Sequence, residues 1–225
     1  MRIQDFFDKG YYINLDRRPD RRKEFEEEME KHNLHNFFER VSAEDSINEL
    51  DPMKKHYYCA SSFYKLFEKI YDKGYETVVI FEDDAQFYNT DTSCGHDLVE
   101  KTLDELQYFT DWDMVYFGGH PRGEVESVSK TLYRVNDILT THACGYKRRT
   151  IKKILDKYVP FQDGAIDGWL SCKTRHITKY ITNFPAIIQR QTSNSDLDAY
   201  GHTVPPEIFL QNYNSVKKIN PYDAV

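Results

Sequence analysis

Thr77-Val78-Val79-Ile80-Phe81-Glu82-Asp83-Asp84 is the stretch on which the fold reading turns. β-Branched and aromatic residues run directly into three carboxylates, the pattern of a strand buried on both faces that ends at a polar edge. Side chains alternate along an extended chain, so Glu82 and Asp84 project to one side and Asp83 to the other. Two carboxylates can then share one ligand. Adjacent negative charges at the end of a buried strand raise one another's pKa unless a cation neutralises them. A hard divalent ion with oxygen ligands, Mg²⁺ or Mn²⁺, meets that need, and ligands of open α/β sheets bind at the carboxyl ends of strands. A solvated acidic turn is the other reading of the same residues, and this stretch alone leaves both open.

Upstream, Gly10 to Leu15 reads as a first strand, followed by the polar loop Asp16-Arg17-Arg18-Pro19-Asp20-Arg21-Arg22. Pro19 or Asp20 opens a helix with Phe25 and Met29 as its buried stripe. The four arginines suit a phosphate or a solvated, salt-bridged face among the glutamates that follow; Arg17, nearest the strand end, is the functional candidate. Phe37 to Val41 is a short strand, and Asp51-Pro52 marks a turn. Phe63, Leu66, Phe67 and Ile70 keep helical spacing from Cys59 to Asp72, with Gly74 placed as a C-cap.

Downstream, Gly95 to Phe109 reads as a helix and Trp112 to Phe117 as a third buried strand closed by Gly118-Gly119. A glycine pair at a strand end either lets a ligand approach the backbone or simply turns the chain. A β-like run, Leu132 to Val135, precedes Thr141-His142-Ala143. Arg149 to Tyr158 is a basic helix, Asp167 stands in the first turn of another, as a cap or dipole partner on local grounds, and Phe184 to Gln189 is a late edge strand. The stretch from Ser193 to His202 has loop composition suited to closing over a ligand.

The chain has 225 residues, net charge -7 and pI about 5.6, with scattered basic residues, so no nucleic-acid footprint is indicated. Its length suits one α/β domain over residues 1–225, standing alone or cut from a longer chain. Cys59, Cys94, Cys144 and Cys172 form no CxxC pair, which suggests free thiols in a reducing compartment. No signal peptide and no apolar run of transmembrane length is seen, and the expectation is a soluble protein of bacterial or virus-host cytoplasm.

With these segments in place, the chain resembles glycosyltransferase family 25, which includes lipooligosaccharide and procollagen galactosyltransferases. The resemblance rests on Tyr12-Ile13-Asn14-Leu15-Asp16-Arg17-Arg18-Pro19-Asp20-Arg21, Cys59-Ala60-Ser61-Ser62, Phe81-Glu82-Asp83-Asp84-Ala85, Tyr116-Phe117-Gly118-Gly119, Thr141-His142-Ala143, Ile166-Asp167-Gly168-Trp169-Leu170 and Pro185-Ala186-Ile187-Ile188-Gln189. Each is weak singly, and their order is specific. The family usually has Ser-His where this chain has Ser61-Ser62.

The resemblance implies an α/β GT-A type nucleotide-sugar-binding fold, a mostly parallel central sheet with helices on both faces. It implies inverting transfer from a UDP-sugar, galactose first among the hexoses, to a glycan or to a hydroxyl-bearing protein acceptor, with Mn²⁺ or Mg²⁺. The acidic triplet then looks like a DXD-type motif. Asp84 would coordinate the metal, Glu82 would hold a metal-bound water or the ribose, Asp83 would orient the backbone or reach the sugar, and His202 would be a further metal ligand with His142 its competitor. Asn14 and Arg17 would contact the nucleotide, Gly118 and Gly119 would leave room for donor sugar or acceptor, and Asp167 would be the base that deprotonates the acceptor. Trp169 would stack on an acceptor ring or belong to the core. A metal-dependent phosphotransfer domain and a sugar-nucleotide-binding module without turnover are the alternatives.

Overall fold

The computed structural model describes residues 1–91, 93–174, 176–190, 211, 213 and 217–219. A single turn, α1 (Ile3–Phe6), leads to β1 (Lys9–Asn14), α2 (Pro19–Lys31), β2 (Phe38–Ser42), α3 (Pro52–Lys73) and β3 (Thr77–Glu82). β4 (Ala85–Phe87), α4 (Gly95–Leu106), β5 (Met114–Tyr116), β6 (His120–Ser127), β7 (Leu132–Leu139) and β8 (Ala143–Lys147) follow. Then come α5 (Arg148–Leu155), α6 (Ile166–Lys173), β9 (Lys179–Thr182), β10 (Ile187–Gln189) and β11 (Lys217–Ile219).

The central sheet has the order β11-β6-β7-β9-β5-β8-β3-β1-β2. From the pairings, β1, β2, β3, β5, β6, β9 and β11 run one way and only β7 and β8 run against them. The mostly parallel sheet expected from the sequence is therefore present. Alternation along each central strand feeds two cores. Val78 and Ile80 of β3, with Tyr11, Ile13, Met114 and Tyr116, pack against Phe63, Phe67, Ile70, Ile151, Ile154 and Leu170 of α3, α5 and α6. Val79 and Phe81, with Tyr12, Val115 and Phe117, pack against Phe25, Met29, Val99 and Leu103 of α2 and α4. Helices thus cover both faces, as buried parallel strands require.

Four details depart from the sequence reading. Asp51-Pro52 is not a separate turn: Pro52 opens α3, which begins seven positions before Cys59, because proline's fixed φ and missing N–H suit a helix's first turn. The late strand Ile187–Gln189 does not join the edge of the central sheet but pairs antiparallel with β4 in a two-stranded sheet of its own. β8, wedged antiparallel between β3 and β5, carries Ala143 and Gly145, residues of low strand propensity that tertiary pairing on both sides holds extended. β9 carries the buried Lys179 in a central position, which no apolar run announces. Gly74 does end α3 as expected, with φ +80. Among the described residues, no helix is long and apolar enough to cross a membrane.

Candidate active site

Register brings the site residues to one edge. Asn14 pairs across from Ser42 and Ile13 from Glu82, so β1, β2 and β3 end level with one another. β8 runs the other way and starts with Ala143 opposite Phe81, which delivers Thr141 and His142 to the same edge. Their ends open into a cleft of about 110 Å³ whose walls include Asn14, Arg21, Glu44, Cys59, Glu82 and Asp84.

The strand stops at Glu82, and Asp83 and Asp84 form the turn into β4. Arg21 Nη2 lies 2.7 Å from Asp83 Oδ1 and 2.7 Å from Asp84 Oδ2, with all three side chains buried. Asn14 Nδ2 donates to Asp83 Oδ2 at 2.7 Å, and Thr141 Oγ1 donates to Glu82 Oε1 at 3.2 Å. The turn is pinned by the Arg190 N–H donating to Asp84 O at 2.7 Å and by the Glu82 N–H donating to His142 O at 2.9 Å. Asp84 Oδ1 is buried without a hydrogen-bond partner.

Among the described residues Arg21 is the one arginine ion-paired with the triplet; Arg18 adds a weaker pull on Asp83 and Lys55 lines the cleft, and together they do not hold the carboxyls down. Burial, and then the field of Asp84, push the Glu82 carboxyl up to about 8. Burial also raises Asp83, to about 6, against the opposing pull of Arg21. Glu82 feels Asp84 more strongly than Asp83, in keeping with Glu82 and Asp84 sharing a side. An orphaned buried carboxylate oxygen beside a carboxyl kept partly protonated is a site short of positive charge.

Arg21, and not Arg17, is the arginine that meets the acids. Arg17 sits on the loop, where its Nε donates to Asp45 at 3.0 Å. Arg21 falls four residues before Phe25 on the buried stripe of α2, and that spacing is the signal that distinguished it from its neighbours. Asn14 is buried and engaged on every side, donating to Arg18 O and Asp83 and accepting from Arg40 Nε at 2.9 Å. Its shown contacts make it a clamp between β1 and the acidic turn.

Gly118 admits a close approach, but from within the chain: a Cβ there would meet Ile187 O at 1.8 Å and His142 Nε2 at 2.8 Å. Gly119 adjoins it with its missing Cβ facing Ile138 at 2.9 Å. His142 is fully buried with Nε2 3.1 Å from Ile187 O, and burial lowers its pKa. His202 and the stretch from Ser193 lie outside the described residues. Trp169 is core, edge-on to Tyr158 at 5.1 Å.

Asp167 opens α6. Its Oδ2 accepts the N–H of Thr140 at 3.1 Å, holding that residue at φ +72, and its Oδ1 accepts the Gly168 N–H at 2.7 Å. Of the two local roles read from sequence, the cap is not taken, since Ala165 is the N-cap and no side chain caps the helix, while the first-turn position that favours a dipole partner is. The same carboxylate faces inward: the Cys59 thiol, raised first by burial, is raised further by Glu82, Asp167, Asp84 and Asp83. All four acids lie within electrostatic reach of this one cysteine of α3.

Glu44 is the wall residue that sequence reading passed over. Its N–H donates to Ser62 Oγ at 2.8 Å, its Oε2 accepts from Ser61 Oγ at 3.3 Å, and Lys65 pairs with its other oxygen. Ser61-Ser62, where the family has Ser-His, therefore fastens the β2–α3 connection to the cleft.

The donor set consists of hard oxygens, and Asp84 Oδ1 and Glu82 are the atoms that fit a divalent cation. Among the described residues, no group of three or more His, Cys, Asp or Glu already forms a metal cage.

Comparison with known proteins gives a family and several distant structural likenesses. No curated protein matches. The A197 protein from STIV is 15% identical, covering 84% of each chain with a TM-score of 0.43. A glycosyltransferase involved in glycosylation of the major capsid of PBCV-1 is 10% identical over 74% of each chain, TM-score 0.42. Apo UDP-glucose pyrophosphorylase is 10% identical over 92% of this chain and 80% of its own, TM-score 0.47. At these scores the structures add nothing to the assignment. The model of glycosyltransferase family 25 (LPS biosynthesis protein) matches residues 7–164, which contain the arginine loop, Arg21, the acidic turn and the Thr141-His142 segment. The chain belongs to glycosyltransferase family 25.

Proposed function

We propose that this glycosyltransferase moves a hexose, galactose first among the candidates, from a UDP-sugar to a hydroxyl of a glycan or protein, with inversion and with the help of Mn²⁺ or Mg²⁺. The observation that carries the reading is the charge deficit at the acidic turn: three carboxylates with one ion-paired arginine among the described residues, and an orphaned Asp84 Oδ1 at the edge of a cleft. A bound cation would be held by Asp84 and Glu82 and would supply charge to offset that developing on a departing diphosphate. His202 is kept as a further ligand in this proposal.

The chain's own groups do the rest. Arg21 keeps Asp83 and Asp84 oriented, and Asn14 ties Asp83 to β1 so that the turn does not reorganise as charge moves. Arg17, paired with Asp45 between the lining residues Glu44 and Ser46, would be the outer cation for the nucleotide phosphates. Asp167 accepts a single N–H on each oxygen, which leaves lone pairs for an acceptor hydroxyl. It takes the proton as that oxygen attacks the anomeric carbon from the face opposite the diphosphate.

The test has two arms. Thermal shift with a panel of nucleotide sugars, with and without Mn²⁺, is expected to single out a UDP-sugar with a metal-dependent rise in melting temperature. Asp167→Asn is expected to keep that shift while transfer falls by about 10²- to 10⁴-fold. Full transfer by the variant would remove Asp167 from the role of base.

A further inference from the structure

Arg21 holds the acidic turn without completing it. Its Nη2 lies 2.7 Å from Asp83 Oδ1 and 2.7 Å from Asp84 Oδ2, so one nitrogen spans two carboxylates. An ion pair that served only to fasten the turn would satisfy the acids it fastens. Here Asp84 Oδ1 stays buried without a hydrogen-bond partner. The cation is also fixed in place. Arg21 lies on the stripe of α2 that carries Phe25, whose ring stacks on Tyr12 with centroids 4.3 Å apart, and its side chain is only 8% exposed. It is part of the framework of the site, unlike a surface arginine free to swing into solvent.

That arrangement limits what the turn offers a metal. Both oxygens of Asp83 are engaged, Oδ1 facing Arg21 and Oδ2 accepting Asn14 Nδ2 at 2.7 Å. Asp84 Oδ2 faces Arg21 and accepts Gln189 Nε2 at 3.4 Å. Among the described residues the triplet therefore keeps three oxygens for a cation in the cleft: Asp84 Oδ1 and the two of Glu82, one of which already accepts Thr141 Oγ1 at 3.2 Å. Mg²⁺ and Mn²⁺ take about six oxygens. Water or a ligand has to supply the rest, and the phosphates of a nucleotide sugar carry the hardest oxygens it has. A divalent ion alone would also sit on the far side of Asp84 from a guanidinium, and like charges at that separation weaken its hold. A diphosphate answers both needs at once, adding oxygens to the shell and negative charge between the two cations.

We propose that Arg21 is a built-in competitor of the metal, which keeps the acidic turn from binding a free divalent cation tightly and makes cation and nucleoside diphosphate bind as a pair. The inference rests on the transferase reading and adds how loading of its donor site is controlled. Arg21 thereby acts on metal affinity through Asp84, which it shares with the ion, and not by touching the reacting atoms.

The experiment is Mn²⁺ binding to the full chain, read from the electron paramagnetic resonance signal of the free ion, with and without UDP and corrected for the Mn²⁺–UDP complex that forms in buffer. Arg21→Gln, which keeps a neutral donor and drops the charge, is expected to hold Mn²⁺ alone at least about tenfold more tightly than wild type. Arg21→Lys, which restores the charge, should stay within about threefold of wild type. UDP should raise the Mn²⁺ affinity of wild type by at least about tenfold, and that of Arg21→Gln by less, because the coupling between the two ligands is what the arginine enlarges. Mn²⁺ affinity in Arg21→Gln equal to or weaker than in wild type, an Arg21→Lys that matches Arg21→Gln, or a UDP effect no larger in wild type each overturns the inference and leaves the transferase reading standing. Should Arg21→Gln fail to fold, the double variant Arg21→Gln/Asp83→Asn takes its place: it removes one charge of each sign, keeps Asp84 and Glu82, and is expected to bind Mn²⁺ alone at least about threefold more tightly than wild type. Equal or weaker binding by that variant overturns the inference as well. No Mn²⁺ uptake by any of these proteins, with or without UDP, removes the metal from the transferase reading and the inference with it.

Discussion

Two buried acidic groups sit at opposite edges of the same sheet and are treated in opposite ways. Asp113, just before β5 at the amino edge of the parallel strands, is satisfied on all sides. Its Oδ1 accepts Arg149 Nε at 2.7 Å and Thr150 Oγ1 at 3.3 Å, and its Oδ2 accepts the Thr178 N–H at 3.0 Å and Lys153 Nζ at 3.4 Å. Burial pushes its carboxyl up, yet the Thr178 N–H and the two cations outweigh it and hold it below the ordinary range. At the carboxyl edge the triplet has, among the described residues, one ion-paired arginine for three acids, and Glu82 and Asp83 are pushed up. Unequal compensation, on top of deeper desolvation of the triplet, separates a carboxylate that holds the fold from carboxylates kept ready for a ligand.

Substitution should break the two groups differently. Asp84→Asn is expected to lower transfer by about 10²- to 10³-fold, the loss typical of removing one electrostatic contact to a developing charge. Its stability should change by less than about 1 kcal/mol, because Arg21 retains Asp83 and one negative charge leaves a crowded site. Steady-state rates and a melting curve decide it; an unchanged rate would end the role of Asp84. Asp113→Ala should do the reverse. It strands the Thr178 N–H and two cations and is expected to cost about 2–3 kcal/mol, discounted because Arg149 is half exposed. That corresponds to a melting temperature lower by roughly 5–10 °C, with the UDP-sugar shift retained. A drop in Asp84→Asn larger than in Asp113→Ala would reverse the assignment of roles.

The sequence foretold the triplet better than its counterpart, and the reason is physical. Glu82, Asp83 and Asp84 follow an uninterrupted apolar strand, so both their burial and their edge position are written locally. Asp113 lies inside Trp112-Asp113-Met114, and its partners arrive from residues 149, 153 and 178, none of which a local pattern links to it. Arg21 stood between these cases: its spacing from Phe25 marked the buried face, while its choice of Asp83 and Asp84 depended on β1 and β3 pairing. Helices α2, α4 and α5 and strands β1, β3 and β5 were legible as periodic segments. β8 and β9 were not, since their residues become strands only by being flanked on both sides. Gly118 shows the same limit at one position. The need for close approach was readable, and that Ile187 makes it was not.

The smallest predicted effect separates the two edges by proton linkage. Glu82 and Asp83 have folded-state pKa values above their unfolded ones, about 8 against 4.5 and about 6 against 3.8. The stability they allow is complete below about pH 4 and declines as pH rises, because the unfolded chain releases protons that the folded chain still holds. The decline ends once Glu82 ionises in the folded state. Asp113 and Glu28 are lowered, Glu28 to about 2 despite burial, by its bonds with His32, Lys31 and the Phe87 N–H. Their contribution is present above the ordinary carboxylate range and is lost as pH falls through the folded values. Buried His120 and His142, both lowered by loss of hydration, also lose stability on acidification and overlap the first window, so the informative quantity is a difference between proteins. The melting temperature of Glu82→Gln minus that of wild type should increase between pH 5 and pH 8 by at least about 2 °C, since 1 kcal/mol corresponds to roughly 2–4 °C in a chain of this size. For Asp113→Asn the corresponding difference should be flat over that range and shrink toward zero only below about pH 4. A difference for Glu82→Gln that is level or falls with pH would mean that the triplet is as well compensated as Asp113, and the charge deficit from which the ligand site was inferred would be gone.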